Sequence, residues 1–437
     1  GRILIVGFGS IGAGVLPLLL RHIDVATANI TIITAEERGR EEAANFGVRF
    51  ILQPLTRENY VRTLDGLLRS GDFLLNLSID VSSLALIEYC AARTIKYLDT
   101  CIEPWVGGYT DPNVAPGLRS NYALREAALE IGRKYPNGPT AVLTHGANPG
   151  MVSHLVKEAL LNIARDTGLE GVVPQSKSEW AKLAQQIGMK VVHIAERDTQ
   201  VSKTPKRVGE FVNTWSVGGF IGEGSQPAEL GWGAHEKHLP YDGRQHDFGC
   251  RAAIWLQRPG ASVRVRTWTP RQGPIHGFLI THGESISIAD YFTVKDGDKV
   301  ASRPTVHYAY HPCDAAVMSI HELAGRNWQP QRDWRIINDD IVSGVDELGV
   351  LIAGHAKNAY WYGSVLSIED ARKLAPYNNA TSLQVTSSVL AATIWAIEHP
   401  NQGVVDPDDL PHEFILRIMR PYLGELSGHY TDWTPLF

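Results

Sequence analysis

The stretch Gly7-Phe8-Gly9-Ser10-Ile11-Gly12 spaces three glycines as G-x-G-x-x-G, directly after the apolar run Arg2–Val6 and before a helical stretch. Glycine permits the tight turn and the close backbone approach of a pyrophosphate, and the following helix presents its free N–H groups to that ligand. The motif alone would be weak, but a preceding strand and a following helix are the context that it requires. We therefore predict a dinucleotide-binding domain of the Rossmann type at the start of the chain.

The first third of the chain alternates strand-like and helix-like patterns. Helical stretches, for example Asn59–Leu68 and Ser82–Ala92, separate short runs of aliphatic residues. Such alternation predicts a parallel sheet with helices on both faces, and so an α/β fold class. We assign residues 1–147 to this Rossmann-type domain. The aliphatic runs are Arg2–Val6, Ile30–Ile33, Phe73–Leu77 and Ala141–Thr144.

The pattern changes beyond about residue 190, where Trp, Gly, Tyr and His become frequent and the apolar runs shorten. This change predicts a second, α+β domain with a largely antiparallel sheet over residues 148–382. A last helix near residues 383–398 opens a C-terminal segment, residues 383–437, and is expected to pack against the first domain. The strands predicted for the second domain include Glu210–Val217, Ala252–Leu256, Ser262–Thr269 and Gly277–His282.

The bulk composition argues against several classes of protein. A length of 437 residues suggests two or three domains, and a net charge of −6 without a dense Lys/Arg run argues against a nucleic acid or an anionic membrane as partner. The chain has no apolar run of about eighteen residues, so no membrane span is expected. Four scattered cysteines suit a reducing cytoplasm and form no zinc motif: Cys90, Cys101, Cys250 and Cys313.

Cofactor contacts are expected at the carboxyl ends of the parallel strands, because ligands bind such sheets at that edge. Three predicted strands run into small and polar residues, at Asn76–Asp80, Asp99–Trp105 and Gly146–Gly150. Together with the glycine-rich loop, these strand ends predict the following cofactor-binding residues: Gly7, Gly9, Ser10, Ile11, Gly12, Thr34, Asn76, Leu77, Ser78, Thr100, Ala147, Asn148 and Pro149.

The end of the second strand decides between NAD and NADP. An acidic residue is expected there to bind the ribose hydroxyls, but this chain has Thr34. Glu36 could reach the ribose from the loop, which would favour NAD, whereas Arg38 could meet a 2′-phosphate, which would favour NADP. NAD is the preferred cofactor, and NADP stays an alternative.

Several long and unusual motifs extend over nearly the whole chain. Taken together they resemble the bacterial homospermidine synthases, within the saccharopine-dehydrogenase-like superfamily. The dinucleotide fingerprint would not have singled out this family. The motifs include Asn76–Asp80, Glu103–Trp105, Gly146–Met151, His193–Gln200, Asn213–Ser216, Thr281–Ser287, His307–Pro312 and Lys357–Gly363.

The resemblance implies that two putrescines are joined into sym-homospermidine with loss of ammonia, by a homodimer that uses NAD as a recycled cofactor. It assigns substrate binding and dimerisation to residues 148–382. Glu196 and Glu223 resemble the family's carboxylates that hold the substrate amines. Trp215 resembles an aromatic residue that would hold a cationic imine by cation–π attraction of about 0.5–2 kcal/mol.

Four further residues are candidates for catalysis. Asp80 and Glu103 lie at strand ends near the expected nicotinamide, where a carboxylate could anchor an ammonium group. His282, followed by Glu284, could transfer a proton or orient the substrate, since imidazole titrates near neutrality. Asn148 could orient the substrate amine or the nicotinamide, and could also cap a helix that has Pro149 at its first position.

Each candidate also has a purely structural interpretation. A glutamate is more often a surface or salt-bridge acid, a tryptophan a core residue and a histidine a satisfied core group. His307 and His311 flank two tyrosines without a supporting set of carboxylates, so no metal site is predicted.

Two other functions compete with diamine condensation. A saccharopine or carboxynorspermidine dehydrogenase would reduce an imine formed with an amino acid, and would need a basic residue for the carboxylate. The candidates here are acidic and aromatic, which favours a diamine. The other alternative is a non-enzymatic NAD-binding protein, in which Glu196, Glu223 and Trp215 could be replaced without loss of function.

Overall fold

A seven-stranded parallel sheet organises the first part of the chain in the computed structural model, which describes residues 1–436 except 170 and 172. Its strand order is β22-β6-β5-β4-β1-β2-β3, and all neighbouring strands pair in parallel. The strands are β1 (Ile3–Val6), β2 (Ile30–Thr34), β3 (Arg49–Leu52), β4 (Phe73–Asn76), β5 (Lys96–Asp99), β6 (Ala141–Val142) and β22 (Val404–Val405). The helices between them are α1 (Ser10–His22), α2 (Arg40–Asn45), α3 (Tyr60–Leu67), α4 (Ser83–Ala92) and α5 (Asn121–Lys134).

A ten-stranded mixed sheet forms the core of the second part. Seven strands of its main path follow the order β11-β12-β10-β17-β7-β20-β21 and β23 ends it, while β14 joins β17 and β13 joins β14. Only β7 and β17 pair in parallel within it. Its strands are β7 (Val191–Asp198), β10 (Pro227–Gly231), β11 (Gly243–Gln245), β12 (Ala253–Pro259), β13 (Arg264–Thr269), β14 (Gly273–Phe278), β17 (Thr305–His311), β20 (Val345–His355), β21 (Asn358–Ser367) and β23 (Glu425–Thr431).

Among the described residues, three two-stranded sheets and eight α-helices complete the second part. The paired strands are β8 (Val201–Ser202) with β19 (Ile341–Ser343), β9 (Glu210–Asn213) with β18 (Asp333–Ile336), and β15 (Val294–Asp296) with β16 (Lys299–Ser302). The helices are α6 (Met151–Asp166), α7 (Lys177–Ile187), α8 (Val217–Ser225), α9 (Glu284–Tyr291), α10 (Asp314–Gly325), α11 (Ile368–Leu374), α12 (Ala380–Glu398) and α13 (His412–Met419). The predicted α/β class and the predicted pair of sheets are confirmed.

Helix α12 is the apolar centre that the first and second parts share. It packs against α1 and β5 on one side and against β20 and β21 on the other. Asn379 caps its first turn by accepting from the Ser382 N–H at 2.7 Å, and its amide donates to the Thr214 and Ile337 carbonyls. α12 is long and apolar enough to span a membrane, but 83% of its most apolar window is buried inside the fold. It is therefore a core helix.

One predicted strand ends early. The pattern Glu210–Val217 predicts a continuous strand, but β9 stops at Asn213 and α8 begins at Val217. The Ser216 side chain caps the new helix by accepting from the Gly219 N–H at 3.1 Å. Gly218 permits close packing, because a β-carbon there would lie 3.3 Å from side-chain atoms of both Ile79 and Trp334. Tertiary packing thus overrides the low helix propensity of the glycines in this segment.

Candidate active site

A cavity of about 880 Å³ opens at the carboxyl edge of the parallel sheet and reaches the mixed sheet. The loops that follow β1 to β6 line one part of it, in agreement with the rule that ligands bind at this edge. Residues from β7, α8, β17 and α12 line the other part. The cavity is therefore built from both sheets, and its chemistry combines residues that are distant in the sequence.

The glycine-rich loop forms one wall of this cavity. Gly7 adopts φ +83°, and a β-carbon there would lie 2.7 Å from the Ser78 backbone, so no other residue fits without displacement. A β-carbon at Gly9 would meet no described atom within 4 Å, which leaves an open cradle beside the start of α1. In the described part of the chain no side chain caps this helix, so its first N–H groups are available to an anion.

Most of the predicted cofactor-binding residues line the cavity, and three do not. Gly12 instead faces the Phe8 ring, which would lie 2.6 Å from a β-carbon. Asn76 is buried behind the loop, where its amide donates to the Tyr97 hydroxyl and its oxygen accepts from Ser78. Pro149 lies in the turn after Asn148. Those that line the cavity are Gly7, Gly9, Ser10, Ile11, Thr34, Leu77, Ser78, Thr100, Ala147 and Asn148.

The segments that follow β2 and β3 line another part of the same cavity. Thr34 is buried, and its hydroxyl oxygen accepts a hydrogen bond from the Glu36 backbone N–H, with 3.4 Å between nitrogen and oxygen. Glu36 and Arg38 both line the cavity, as does Arg57 from the loop after β3. With Glu58 from the same loop, two acids and two arginines are therefore available where Rossmann-type domains bind the adenosine ribose.

The expected capping role of Asn148 is wrong. Helix α6 begins at Met151, behind Gly150 at φ +124°, rather than at Pro149. Its first N–H groups are bound by backbone carbonyls, since Met151 donates to Gly146 at 2.9 Å and Val152 to Ala147 at 3.1 Å. The cap is thus supplied by the folded-back turn, and the Asn148 side chain is left to face the cavity.

Asn148 points its amide towards Tyr308. Burial raises the pKa of that phenol well above its ordinary value and the Asn148 side chain acts against this rise, yet Asn148 Nδ2 has no hydrogen-bond partner among the described residues. A buried amide without a partner costs about 1–3 kcal/mol. The group is therefore available to an acceptor brought in by a ligand.

Glu196 lies on β7 at the bottom of the cavity and is almost fully buried. It accepts a hydrogen bond from the Tyr308 hydroxyl on the neighbouring strand β17. Burial raises the pKa of Glu196 to about 7, because desolvation penalises its charged form. A cation that entered the cavity would favour the charged form and lower this pKa.

Two further buried carboxyls, Asp198 and Asp346, lie beside Glu196. The Thr381 hydroxyl lies 2.6 Å from Asp346 Oδ2 and 3.2 Å from Asp198 Oδ2. Burial raises the pKa of both, and for Asp346 the neighbouring charges of Glu196 and Asp198 add to the effect. The acidic end of the cavity is thus held at elevated pKa values by mutual proximity and by the lack of water.

His282 connects two glutamates in a short row. Its Nε2 lies 2.8 Å from Glu223 Oε2, and its Nδ1 lies 3.3 Å from Glu284 Oε1. The two carboxylates raise the pKa of His282 well above its ordinary value, although burial opposes them. His282 is therefore a cation held between two acids, positioned to exchange a proton with a ligand at Glu223.

Glu103 and Asp80 stand together where β5 and β4 end. The Asp80 N–H donates to Glu103 Oε2 at 3.5 Å, and the Cys101 thiol donates to Glu103 Oε1 at 3.6 Å. Burial raises the pKa of Glu103 to about 8, and the charge of Glu223 contributes to this rise. Both acids line the cavity, and Asp80 is exposed to solvent.

Trp215 lines the cavity between β9 and α8. Its indole N–H donates to the Tyr310 hydroxyl at 3.1 Å, and its ring packs against Phe220 with centroids 5.1 Å apart. These contacts fix the orientation of the indole while the residue stays only partly buried. The ring face can therefore meet a cationic ligand.

Sequence reasoning missed four members of this site, one of which is the buried Asp198. Tyr308, Tyr310 and Asp346 had no assigned role, although the alternation of His307-Tyr308-Ala309-Tyr310-His311 could have indicated a strand with two tyrosines on one face. Nothing in the sequence around Asp346 indicates a site, since a single acidic residue in a strand is common. All seven predicted catalytic residues nevertheless line the one cavity: Asp80, Glu103, Asn148, Glu196, Trp215, Glu223 and His282.

Comparisons with known proteins assign the class. Residues 3–142 match the family model described as saccharopine dehydrogenase NADP binding domain, and residues 146–432 match the saccharopine dehydrogenase C-terminal domain. Fold and site therefore define a member of the saccharopine-dehydrogenase-like enzymes, which confirms the predicted superfamily.

Individual relatives narrow the assignment. The chain is 53% identical to the homospermidine synthase of Blastochloris viridis over 441 residues, covering 100% of this chain and 92% of that protein. It is 49% identical to the homospermidine synthase of Mesorhizobium japonicum, with coverage of 100% and 91%. The crystal structure of homospermidine synthase from Legionella pneumophila in complex with NAD superposes with a TM-score of 0.93 at 50% identity, and covers 100% of this chain and 92% of that one. The chain belongs to the homospermidine synthase family.

Proposed function

We propose that this enzyme joins two putrescines into sym-homospermidine with release of ammonia, using bound NAD that is recycled within each turnover. The observation that carries the proposal is that one cavity unites a glycine-rich dinucleotide loop with Glu196, Glu223 and Trp215. A diamine carries two ammonium groups, and buried carboxylates bind such groups more strongly than surface ones.

The cofactor fits the residues that are present. The open cradle at Gly9 and the uncapped start of α1 suit a pyrophosphate, and Glu36 suits the ribose hydroxyls of NAD. The NAD complex of the Legionella relative supports NAD over NADP. When bound, NAD would take a hydride from an amine carbon and return it later in the turnover.

The chain's own residues divide the remaining work. Glu196 and Glu223 would bind the ammonium groups of the substrate, with Glu103 as a further candidate, and binding would hold Glu196 and Glu103 in their charged form despite their raised pKa values. His282 would shuttle a proton between a substrate amine and Glu223. Trp215 would stabilise a cationic imine of the substrate by its ring face without supplying a nucleophile. Asn148 would accept or donate a hydrogen bond to hold the reacting amine in place.

An amino-acid dehydrogenase fits the cavity less well. Such an enzyme needs a basic residue at the substrate carboxylate, and the arginines among the described lining residues, Arg38 and Arg57, follow β2 and β3 on the adenosine side. The amine end is lined by Glu103, Glu196 and Glu223 instead. This distribution of charge favours a diamine.

Incubation with putrescine and catalytic NAD tests the proposal. We expect homospermidine and ammonia in equal amounts, without net accumulation of NADH. Glu196→Gln and Glu223→Gln should each lower kcat/KM by about 10-fold or more, since a charge-assisted hydrogen bond contributes about 1.5–3 kcal/mol.

A buried glutamate outside the cavity is the matched control. Glu347 on β20 accepts from Thr269 and from the Arg271 N–H, so Glu347→Gln should retain full activity. NADH formation that is stoichiometric with putrescine would instead favour a dehydrogenase, and unchanged kcat/KM in both cavity variants would overturn the assignment of the two acids.

The remaining expectations are proposals of the same kind. We infer that residues 1–147 bind NAD, that residues 148–382 bind substrate and form a homodimer, and that residues 383–437 complete the core. A cytoplasmic location is supported by the free thiols of all four cysteines.

A further inference from the structure

A second cavity, of about 280 Å³, lies in the mixed-sheet part of the molecule. None of its described lining residues lines the active-site cavity. Two arginines, Arg251 and Arg303, face it together with His246, Asp247 and Trp232. The diamine reaction makes no use of these residues, so their arrangement requires a separate explanation.

Both guanidinium groups are held in place by hydrogen bonds to neutral acceptors around them. Arg303 Nε donates to the Thr293 hydroxyl at 3.0 Å, and its Nη1 donates to the Arg251 carbonyl at 3.1 Å. Arg251 Nη2 donates to the Asp247 carbonyl at 2.8 Å. The hydroxyl and the two backbone carbonyls that accept these bonds carry no net charge, so the bonds orient the guanidinium groups without neutralising them. A fixed guanidinium loses less side-chain entropy when it binds a ligand.

The backbone of Arg251 is also constrained. It adopts φ +54°, and its N–H donates to the Tyr122 hydroxyl at 2.8 Å. A left-handed conformation is unfavourable for a residue other than glycine, and it persists where surrounding contacts impose it. The Tyr122 hydroxyl and the Asp247 carbonyl therefore determine where this guanidinium stands.

His246 adds a buried polar atom without a partner. Its side chain is only 7% exposed, and its Nε2 has no hydrogen-bond partner in the described part of the chain. The ring is stacked on Tyr122 with centroids 3.8 Å apart, and burial lowers the pKa of His246 to about 4. At neutral pH the imidazole is uncharged and can donate from Nε2 to an anionic oxygen. An unpartnered buried nitrogen costs about 1–3 kcal/mol, which such a ligand would recover.

The charges in this cavity favour an anion. Two guanidiniums and one carboxylate, that of the exposed Asp247, line the cavity. The Asp290 carboxylate also acts on Arg303, but it is ion-paired with Arg125 at 2.9 Å and with Lys177 at 3.7 Å. The chain as a whole carries a net charge of −6, so a locally positive cavity runs against the general charge of the molecule. Burial also lowers the pKa of Arg303 from its ordinary value because desolvation disfavours the charged form, and the attraction of a bound anion would offset part of that cost.

We propose that this cavity is a binding site for a small organic anion whose carboxylate or phosphate group is held by Arg251, Arg303 and His246. Arginine forks match the oxygens of both groups bidentately. The Trp232 indole, which also lines the cavity, provides an apolar contact for the rest of the ligand.

Isothermal titration of the complete enzyme with inorganic phosphate and, separately, with malonate tests the site at constant ionic strength. We expect saturable binding of at least one probe. Binding of phosphate alone identifies a phosphate ester as the ligand class, and binding of malonate alone identifies a carboxylate. Arg251→Gln and Arg303→Gln should each weaken binding at least about 10-fold, as expected for the loss of one charge-assisted contact.

Two further variants keep the test decisive. His246→Phe retains the stacking on Tyr122 and removes only the ring nitrogens, so it should weaken binding even if Arg303→Gln fails to fold. Arg264→Gln is the matched control, because that guanidinium lies over the Phe278 ring at 3.8 Å and lines neither cavity. Absence of saturable binding to the unmodified enzyme, or equal weakening by Arg264→Gln, overturns the proposal.

Discussion

Trp215 is the residue whose local contacts bear most directly on the proposed chemistry. Its indole N–H donates to the Tyr310 hydroxyl and its ring packs at a tilt against Phe220, while the residue also lines the cavity. The electron-rich face attracts a cation but offers no lone pair for covalent attack. An imine that must survive until it is reduced is therefore better held by this ring than by a nucleophilic side chain.

Replacement of Trp215 should separate its ring face from its hydrogen bond. Trp215→Phe keeps an aromatic face of weaker quadrupole and should lower kcat/KM by about 3-fold, whereas Trp215→Ala should lower it by about 30-fold, the upper range of a cation–π contact. Tyr310→Phe removes the partner of the indole N–H and is the control. Steady-state kinetics with putrescine give the comparison. A larger loss in Tyr310→Phe than in Trp215→Ala would mean that the hydrogen bond, not the ring, matters.

The loop between β1 and α1 is the element on which cofactor binding depends. Its first glycine touches the Ser78 backbone of the next strand end, whereas Gly9 borders open space. The two glycines thus have different functions: Gly7 allows two loops to approach, and Gly9 leaves room for the ligand.

Gly7→Ala tests this interpretation of the loop. A β-carbon 2.7 Å from Ser78 must displace the loop, so the dissociation constant for NADH should rise by about 10-fold or more, as measured by fluorescence titration. Gly47 is a matched control, because it also has a positive φ, +68°, but a β-carbon there meets no described atom within 4 Å. Gly47→Ala should lower stability by about 1 kcal/mol and leave NADH binding unchanged. Equal effects of the two substitutions on NADH affinity would contradict the proposed contact.

At the scale of the whole molecule, the raised pKa values of the buried carboxyls affect the pH dependence of folding stability. Glu103 and Glu196 have pKa values raised to about 8 and about 7, and Asp99 behind them is also raised to about 7. The folded protein therefore holds more protons at these groups than the unfolded chain does above pH 4.5. Their contribution to stability is present at low pH and is lost as the pH rises through the folded pKa values.

The thermal melting temperature of the ligand-free protein should accordingly fall by about 2 °C between pH 6.5 and pH 8. The buried histidines with lowered pKa values act in the opposite direction in the lower part of this window, because the unfolded chain still binds protons at its imidazoles up to about pH 7.5. Lys157, lowered to about 8, opposes the trend only at higher pH. Calorimetry over this window measures the slope. Glu103→Gln should flatten it, and a melting temperature that rises from pH 6.5 to 8 would contradict the assignment.

Much of the nucleotide-binding part was predictable, because the sequence patterns that indicate it are local. A glycine spacing, an apolar strand before it and a helix after it all lie within about twenty residues, and parallel strand ends necessarily meet at one edge. The motifs around Glu196, Trp215 and His282 resemble those of the family, so the sequence alone indicates these candidate residues.

The remainder depended on contacts between distant segments. Glu196, Tyr308 and Asp346 come from three adjacent strands of one sheet, β7, β17 and β20, whose pairing is set by burial over more than a hundred residues of chain. Asn148 does not cap α6, because backbone carbonyls of the preceding turn already accept from the first N–H groups of the helix. The sequence thus specified which chemical groups this protein carries, through local patterns of spacing and polarity. Only the packed fold decided which of them share a cavity and which carboxyls lose their water, since both depend on long-range pairing and desolvation.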